Sequence, residues 1–274
     1  MRMRGGAMAE PLYSLTDLRL SLPDMTRKPL LGPAPRIEIL KGLSFDIPRG
    51  EVMGIVGGSG SGKSTLGRAL VRLLEPTGGK IIFGGKDITH LDEDGLRPLR
   101  RRFQMIFQDP MSSLNPRHRV GTIIAAPLSL HGFDGIAARV DRALDQVGLP
   151  RAFRQRFPHE LSGGQRQRVG IARAIALEPE FILADEIVSG LDVSSQAQVL
   201  RLLETLVRDL GLTLAFISHD LSVVRRLCSQ IVVLHQGVVV EQALTAKLFA
   251  DPQADYTRAL LEAIPLPDPD QVWG

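Results

Sequence analysis

The sequence predicts an α/β protein: a parallel-sheet core, a small antiparallel sheet beside it and an inserted helical lobe. Three observations lead there. Short apolar runs at 51–56, 181–184 and 213–217 alternate with helix-patterned stretches, which implies right-handed crossovers and parallel strands with helices on their faces. Two runs of roughly alternating polarity, 12–22 and 37–47, flank a Pro- and Gly-punctuated connection, as antiparallel partners do. From 111 to about 178 strand signals largely vanish, and helical periodicity appears at 120–130, 135–147 and 163–177.

Composition narrows the class. A chain of 274 residues that is 44% hydrophobic and 23% charged can bury a large core. The net charge is only +3. The basic run Arg97-Pro98-Leu99-Arg100-Arg101-Arg102 has no interleaved aromatics, so it reads as a solvated face rather than a nucleic-acid site. The single cysteine, Cys228, excludes an internal disulfide and a multi-thiolate metal site within this chain. It sits in the helix-patterned 221–228 and reads as a small core residue. No apolar run approaches the ~18–20 residues of a spanning helix. Residues 1–10 carry positive charge without an apolar stretch and read as a loose tail, not a signal peptide.

Taken in order, the strand at 37–47 ends at the turn Pro48-Arg49-Gly50, and the apolar run 51–56 leads into Gly57-Gly58-Ser59-Gly60-Ser61-Gly62-Lys63-Ser64. Next comes a helix-like 65–71, opening at Thr65. This is G-x-x-x-x-G-K-[ST] between a strand and a helix, the context in which the motif cradles a nucleoside triphosphate. Glycines let the backbone wrap an anion, Lys63 supplies a point charge for the outer phosphates, and the Ser64 hydroxyl suits Mg²⁺. Strands are expected at 80–83 and 104–107, the second ending at Gln108-Asp109-Pro110. Leu161-Ser162-Gly163-Gly164-Gln165-Arg166-Gln167-Arg168 opens a helix with Ser162 as a natural N-cap and backbone N–H groups exposed to an anion. One triphosphate needs one phosphate loop, so a second such terminus suits the nucleotide of another subunit. The strand 181–184 then delivers Asp185 and Glu186, suited to a metal and to an attacking water respectively. An amphipathic helix at 194–210 precedes the strand 213–217 and His219. A hairpin is expected around Gln236-Gly237, then two short helices and a Pro-rich tail at 265–269.

With the phosphate loop, the LSGGQ run and the Asp185-Glu186 strand in this order, the sequence resembles the ATPase subunits of ABC transporters over nearly its whole length. The resemblance implies a RecA-like core with β-subdomain over 11–108 and 179–240, a helical subdomain over 109–178 and a C-terminal extension over 241–274. It implies ATP and Mg²⁺ as cofactors. Gly57, Gly58, Ser59, Gly60, Ser61, Gly62, Lys63, Ser64 and Thr65 would contact ATP, as would Ser162, Gly163, Gly164, Gln165 and the D-loop Asp192. Ser64, Gln108 and Asp185 would hold the metal; Glu186, His219, Gln108 and Lys63 would serve catalysis. Two cassettes would pair head to tail, each ATP lying between one phosphate loop and the other's LSGGQ. Implied partners are an identical or paralogous ATPase, two membrane permeases bound near 109–130 and, indirectly, an extracytoplasmic solute-binding protein; nucleic acid is not among them. The implied location is the cytoplasmic face of the membrane.

The stretches Phe107–Pro116, Asp192–Leu200, Ser218–Val224 and Tyr256–Pro265 are similar to the dipeptide, oligopeptide and nickel importer branch. A soluble complex of the carbon–phosphorus lyase type, or an importer of nickel or another solute, stays open. The chain also departs from the branch. Gly58 stands where Glu is common, Ile187 where Pro follows the catalytic Glu, and Gly190 where the D-loop has Ala; the latter two are expected at the dimer contact. No aromatic lies between Tyr13 and Phe45 to stack on adenine, which leaves Arg36 or an apolar side chain for that task.

Overall fold

The computed structural model describes residues 10–29, 32–109 and 113–263. Most of the expected N-terminal tail, Pro110-Met111-Ser112 and the Pro-rich 265–269 lie outside them. In chain order the elements are β1 (Tyr13–Pro23), β2 (Arg36–Ile47), β3 (Val52–Val56), α1 (Lys63–Leu70), β4 (Gly78–Phe83), β5 (Lys86–Asp87), α2 (Glu93–Leu96) and β6 (Phe103–Ile106). Then come α3 (Val120–Leu130), α4 (Ile136–Gln146), α5 (Gly163–Ile175), β7 (Phe181–Asp185), α6 (Val193–Leu210), β8 (Thr213–Ile217) and α7 (Leu221–Leu227). β9 (Gln230–His235), β10 (Val238–Leu244), α8 (Thr245–Ala250) and α9 (Asp255–Glu262) complete the described chain.

β3, β7 and β8 are buried at every position, as strands covered on both faces must be. They lie within a six-stranded sheet of order β10-β9-β3-β8-β7-β6, parallel except for the antiparallel edge strand β10. Alternate residues feed two cores. Ile182, Ala184, Leu214 and Phe216 meet Val169 and Ile171 of α5 and Val199 and Leu203 of α6 on one face. Leu183, Ala215 and Ile217 meet Leu66 and Leu70 of α1 on the other. There the second sheet, antiparallel and of order β2-β1-β4-β5, adds Leu15, Leu20, Phe45 and Ile81.

An aromatic cluster joins the two sheets. Tyr13 lies 4.8 Å from Phe83 and 4.6 Å from Phe181, ring centre to ring centre, and Phe83 lies 5.3 Å from Phe103. Such pairs contribute about 0.5–1.5 kcal/mol each beyond area burial. The buried Tyr13 hydroxyl donates to Leu70 O at 3.1 Å, which satisfies it, and burial holds its pKa well above the usual phenol value.

The 97–102 run departs from the solvated face expected of it. Leu99 is buried, Arg100 donates to the carbonyls of Val71 and Arg72, and Arg102 pairs with Glu180 while stacking over Phe83. Only the apolar stems and local carbonyls of the fold reveal this use; charge alone does not. The connection after β1 also holds a 3₁₀ turn, Met25–Arg27, capped by Asp24.

The β9–β10 turn braces the phosphate loop. Gln236 and Gly237 have φ of 48° and 83°, the pairing of a tight hairpin turn. Gly237 N–H donates to Ser61 O at 3.0 Å, and Gly237 O accepts from Lys41 N at 2.9 Å, so one residue bridges the phosphate loop and β2. A Cβ at Gly237 would stand 2.1 Å from Ile39 O. Gly237→Ala is therefore expected to cost at least about 2 kcal/mol from φ and contact together, read as a lower urea midpoint at unchanged m. A midpoint equal to wild type would show that the turn relaxes freely.

Candidate functional site

Neighbouring parallel strands end on one edge of the sheet, and each delivers a motif there: the phosphate loop after β3, Ser218-His219 after β8, Asp185-Glu186 at β7 and Gln108 after β6. β3 is flanked by β8 and β9, so the loop sits where the strand order turns back, the usual ligand position in an open α/β sheet. A cavity of about 540 Å³ opens there, lined by Ile39, Ser59, Gly60, Ser61, Gly62, Lys63, Ser64, Thr65, Glu186 and His219. Gly57 and Gly58 are not in its wall. Gly57 has φ 150° and packs so tightly on β9 that a Cβ would meet Leu234 O at 2.1 Å. Lys63 Nζ donates to Gly57 O and Gly58 O, each at 2.9 Å. Burial lowers the Lys63 pKa, opposed by the charges of Glu186 and Asp185.

The acids divide by environment. Asp185 is buried and its Oδ1 accepts from Ser64 Oγ at 3.2 Å. Burial raises its carboxyl pKa against the lowering effect of that hydrogen bond. Glu186 lies partly open to the cavity, in a left-handed backbone conformation with φ 50°. Its Oε2 accepts from Gln108 Nε2 at 3.0 Å and lies 3.6 Å from His219 Nδ1. Its own N–H donates to Ile217 O at 3.0 Å, which ties the residue to β8. The contact between Gln108 and Glu186 thus places the glutamine on the carboxylate expected to activate water, while Ser64 and Asp185 face each other. Ser64 and Asp185 offer oxygen donors and a carboxylate that burial leaves in need of a cation. That set fits Mg²⁺, which takes one or two protein oxygens plus phosphate oxygens and water. Among the described residues no group of three or more His, Cys, Asp or Glu stands at metal-holding spacing.

The second anion-reading terminus lies elsewhere. Ser162 caps α5 in a reciprocal capping box: Gln165 N donates to Ser162 Oγ at 3.3 Å and Ser162 N to Gln165 Oε1 at 3.0 Å. Ser162, Gly163, Gly164 and Gln165 line no part of the phosphate-loop cavity of their own chain. Asp192 caps α6, accepting from Ser195 N at 2.9 Å; hydrogen bonding from the Ser195 side chain, and then from its N–H, lowers the carboxyl pKa. Gly164 packs on the same Ser195, where a Cβ would stand 3.0 Å from Ser195 Oγ.

Two departures noted in the sequence resolve differently. Ile187 is 1% exposed and belongs to the hydrophobic core, not to a surface contact. Gly190 is exposed with φ 75°, a conformation that costs an alanine about 1–2 kcal/mol. Of the adenine candidates, Arg36 donates to Ser21 O across β1–β2, whereas Ile39 lines the cavity. Two site residues had no sequence signal. Ile39 looks like any strand residue, and Tyr256, whose hydroxyl accepts from Gly58 N at 2.8 Å, stands 198 residues away.

Asp185 makes stability depend on pH. A carboxyl whose pKa is raised on folding binds its proton more tightly when folded, so stability falls as pH rises from the ordinary Asp range through the raised value. Asp185→Asn removes that slope, and the nucleotide-free variant is expected to be more stable than wild type above this window. Urea denaturation across pH checks it; identical slopes would show that Asp185 carries no such penalty.

Known proteins resemble this chain in sequence and fold. The ABC transporter family profile matches residues 40–189. A Brucella ovis protein provisionally named a peptide import ATP-binding protein is 55% identical over 237 residues, covering 85% of this chain and 75% of that one. The oligopeptide transport ATP-binding protein OppF of Bacillus subtilis is 48% identical over 243 residues, covering 87% and 80%. Among solved structures, a dimeric ATP-binding cassette in a post-hydrolysis state with ADP and Pi superposes with a TM-score of 0.74 at 30% identity, covering 85% of this chain and 98% of that one. With the family profile spanning the phosphate loop, the LSGGQ helix and the Asp-Glu strand end, and with relatives at 48–55% identity, the chain belongs to the ABC transporter family as one of its ATP-hydrolysing cassettes.

Proposed function

We propose that the chain energises an importer of di- or oligopeptides from the cytoplasmic face of a membrane, as half of a head-to-tail cassette pair. One observation carries the pairing. The phosphate-loop cavity and the Ser162–Gln165 terminus, which is open to solvent at Ser162, are separate surfaces of one chain, and each has the chemistry to grip phosphate. A second copy or a paralogue, antiparallel to the first, unites them around each ATP. Peptide as solute is supported by the names of the relatives.

The residues then divide the work. Ser59–Thr65 cradle the phosphates, with Ile39 against the base. Lys63 keeps its bond to Gly57 O and gives up Gly58 O for the β- and γ-phosphate oxygens, which its three N–H donors allow. Ser64 and Asp185 would hold Mg²⁺, which on binding neutralises charge on those oxygens. Glu186 orients the attacking water and takes its proton as the bond to phosphorus forms; ADP leaves with the electron pair of the broken bond. His219, beside Glu186, steadies the water and the γ-phosphate. ATP thus joins two cassettes, and its cleavage separates them, a population shift a membrane partner can read.

A groove beside β6 suits a permease helix. Its volume is about 430 Å³, and Leu73, Phe107, His118, Ile123, Pro127 and Arg173 are among the residues that line it. Leu73 and Phe107 are 53% and 41% exposed. Phe107 adjoins Gln108, whose amide holds Glu186, so an apolar helix seated there sits one residue from the glutamine that touches the catalytic acid. Among the described residues no helix is long and apolar enough to cross a membrane, so in this reading the crossing falls to permeases.

Hydrolysis and docking can be tested separately. Glu186→Gln is expected to bind ATP, accumulate as the closed pair on size exclusion and hydrolyse about 10²–10⁴-fold more slowly; wild-type turnover would remove Glu186 from its role. Leu73→Asp is expected to reduce co-purification with integral membrane permeases while leaving ATP binding unchanged. Recovery of the wild type only in a soluble enzyme complex would overturn transport in favour of the alternative assembly.

A further inference from the structure

The far end of the chain touches the phosphate loop through one hydroxyl. α9 is held at its entry by Glu241 of β10, whose carboxylate accepts from Gln253 N and Ala254 N, each at 3.0 Å. Close to the start of α9, the Tyr256 ring lies on the His235 ring at the end of β9, with centroids 3.9 Å apart. From that seat its hydroxyl accepts the Gly58 N–H at 2.8 Å.

The bond falls on a particular peptide group. Gly58 N and Gly57 O belong to the same planar unit, and Gly57 O accepts from Lys63 Nζ at 2.9 Å. Tyr256 grips one side of that plane and the phosphate-reading lysine the other. Because the peptide is rigid, rotating it to satisfy its N–H elsewhere also turns the carbonyl that positions Lys63. Gly58 leaves room for this grip: a Cβ there would stand 3.0 Å from Tyr256 Oη, tighter than ordinary contact. Glycine at 58 thus spares the tyrosine hydroxyl a crowded Cβ.

We infer that Tyr256 is a positioning residue for ATP binding, fixing the Gly57–Gly58 peptide and through it the Lys63 ammonium. Tyr256 lines no part of the cavity and acts only through the loop. This role rests on the reading that the loop takes the phosphates of ATP.

Tyr256→Phe in the full chain removes the hydroxyl and keeps the ring on His235. One net hydrogen bond predicts about a 3- to 10-fold weaker Kd for Mg-ATP by titration calorimetry. The nucleotide-free Tm should stay within about 2 °C of wild type, while the Tm rise produced by a fixed ATP concentration shrinks. A Kd within twofold of wild type overturns the inference. So does a weaker Kd accompanied by a larger fall in the nucleotide-free Tm, because the hydroxyl would then act on general stability. Wild-type protein that binds no Mg-ATP would overturn the nucleotide reading itself, and this inference with it.

Discussion

The site depends on the grip that β9 and its turn keep on the phosphate loop. A loop rich in glycine has the most backbone freedom to lose on ordering. Here that freedom is removed by backbone contacts from outside the loop: Gly57 lies against Leu234 O, and Ser61 O accepts from Gly237 N. Gly237 also reaches β2 through Lys41 N, so the loop is held where two sheets converge. The side chains that read phosphate can then project from a support that their own segment could not supply.

Burial next to this support works on charges of opposite sign. It lowers the pKa of Lys63 and raises that of Asp185, so each is short of the partner its ion would choose. The phosphates of ATP, and Mg²⁺ in the proposed function, would supply those partners and relieve a penalty that folding imposed. Glu186 is kept apart from this balance. Its left-handed backbone, of a kind that costs about 1–3 kcal/mol, turns the carboxylate toward Gln108 and His219 instead of toward Asp185's neighbour Ser64. Adjacent residues on one strand end are thereby given separate tasks.

The same economy of contact links the catalytic edge to the outside. Gln108 stands between Glu186 and the apolar groove containing Phe107, so a displacement of β6's end alters the acid's hydrogen bond. The LSGGQ terminus is fixed differently, by its own capping box and by Gly164 against Ser195 at the start of α6. Asp192 caps that same helix. The LSGGQ terminus and the Asp192 loop therefore share the start of α6 as their support, and Gly190 supplies the positive φ at which that loop turns.

Local pattern is enough for most elements because periodicity and turn chemistry are properties of short segments. The strand at 213–217, the helix at 120–130 and the hairpin at Gln236-Gly237 form where the pattern puts them. Phosphate-loop, LSGGQ and Asp-Glu motifs are legible for the same reason: their chemistry demands fixed residues at fixed spacing. What pattern does not reach is contact between distant segments. Arg100 and Arg102 read as a solvated run until Phe83, Glu180 and the Val71 carbonyl come within reach. Ile187 reads as an interface residue until folding buries it in the core. Fold class, nucleotide chemistry and the residues able to perform it are thus written in the chain's local order. That Gln108 rests on Glu186, that Ile39 walls the cavity and that Tyr256 holds Gly58 emerge only on folding, since each joins segments whose separation along the chain carries no local signal.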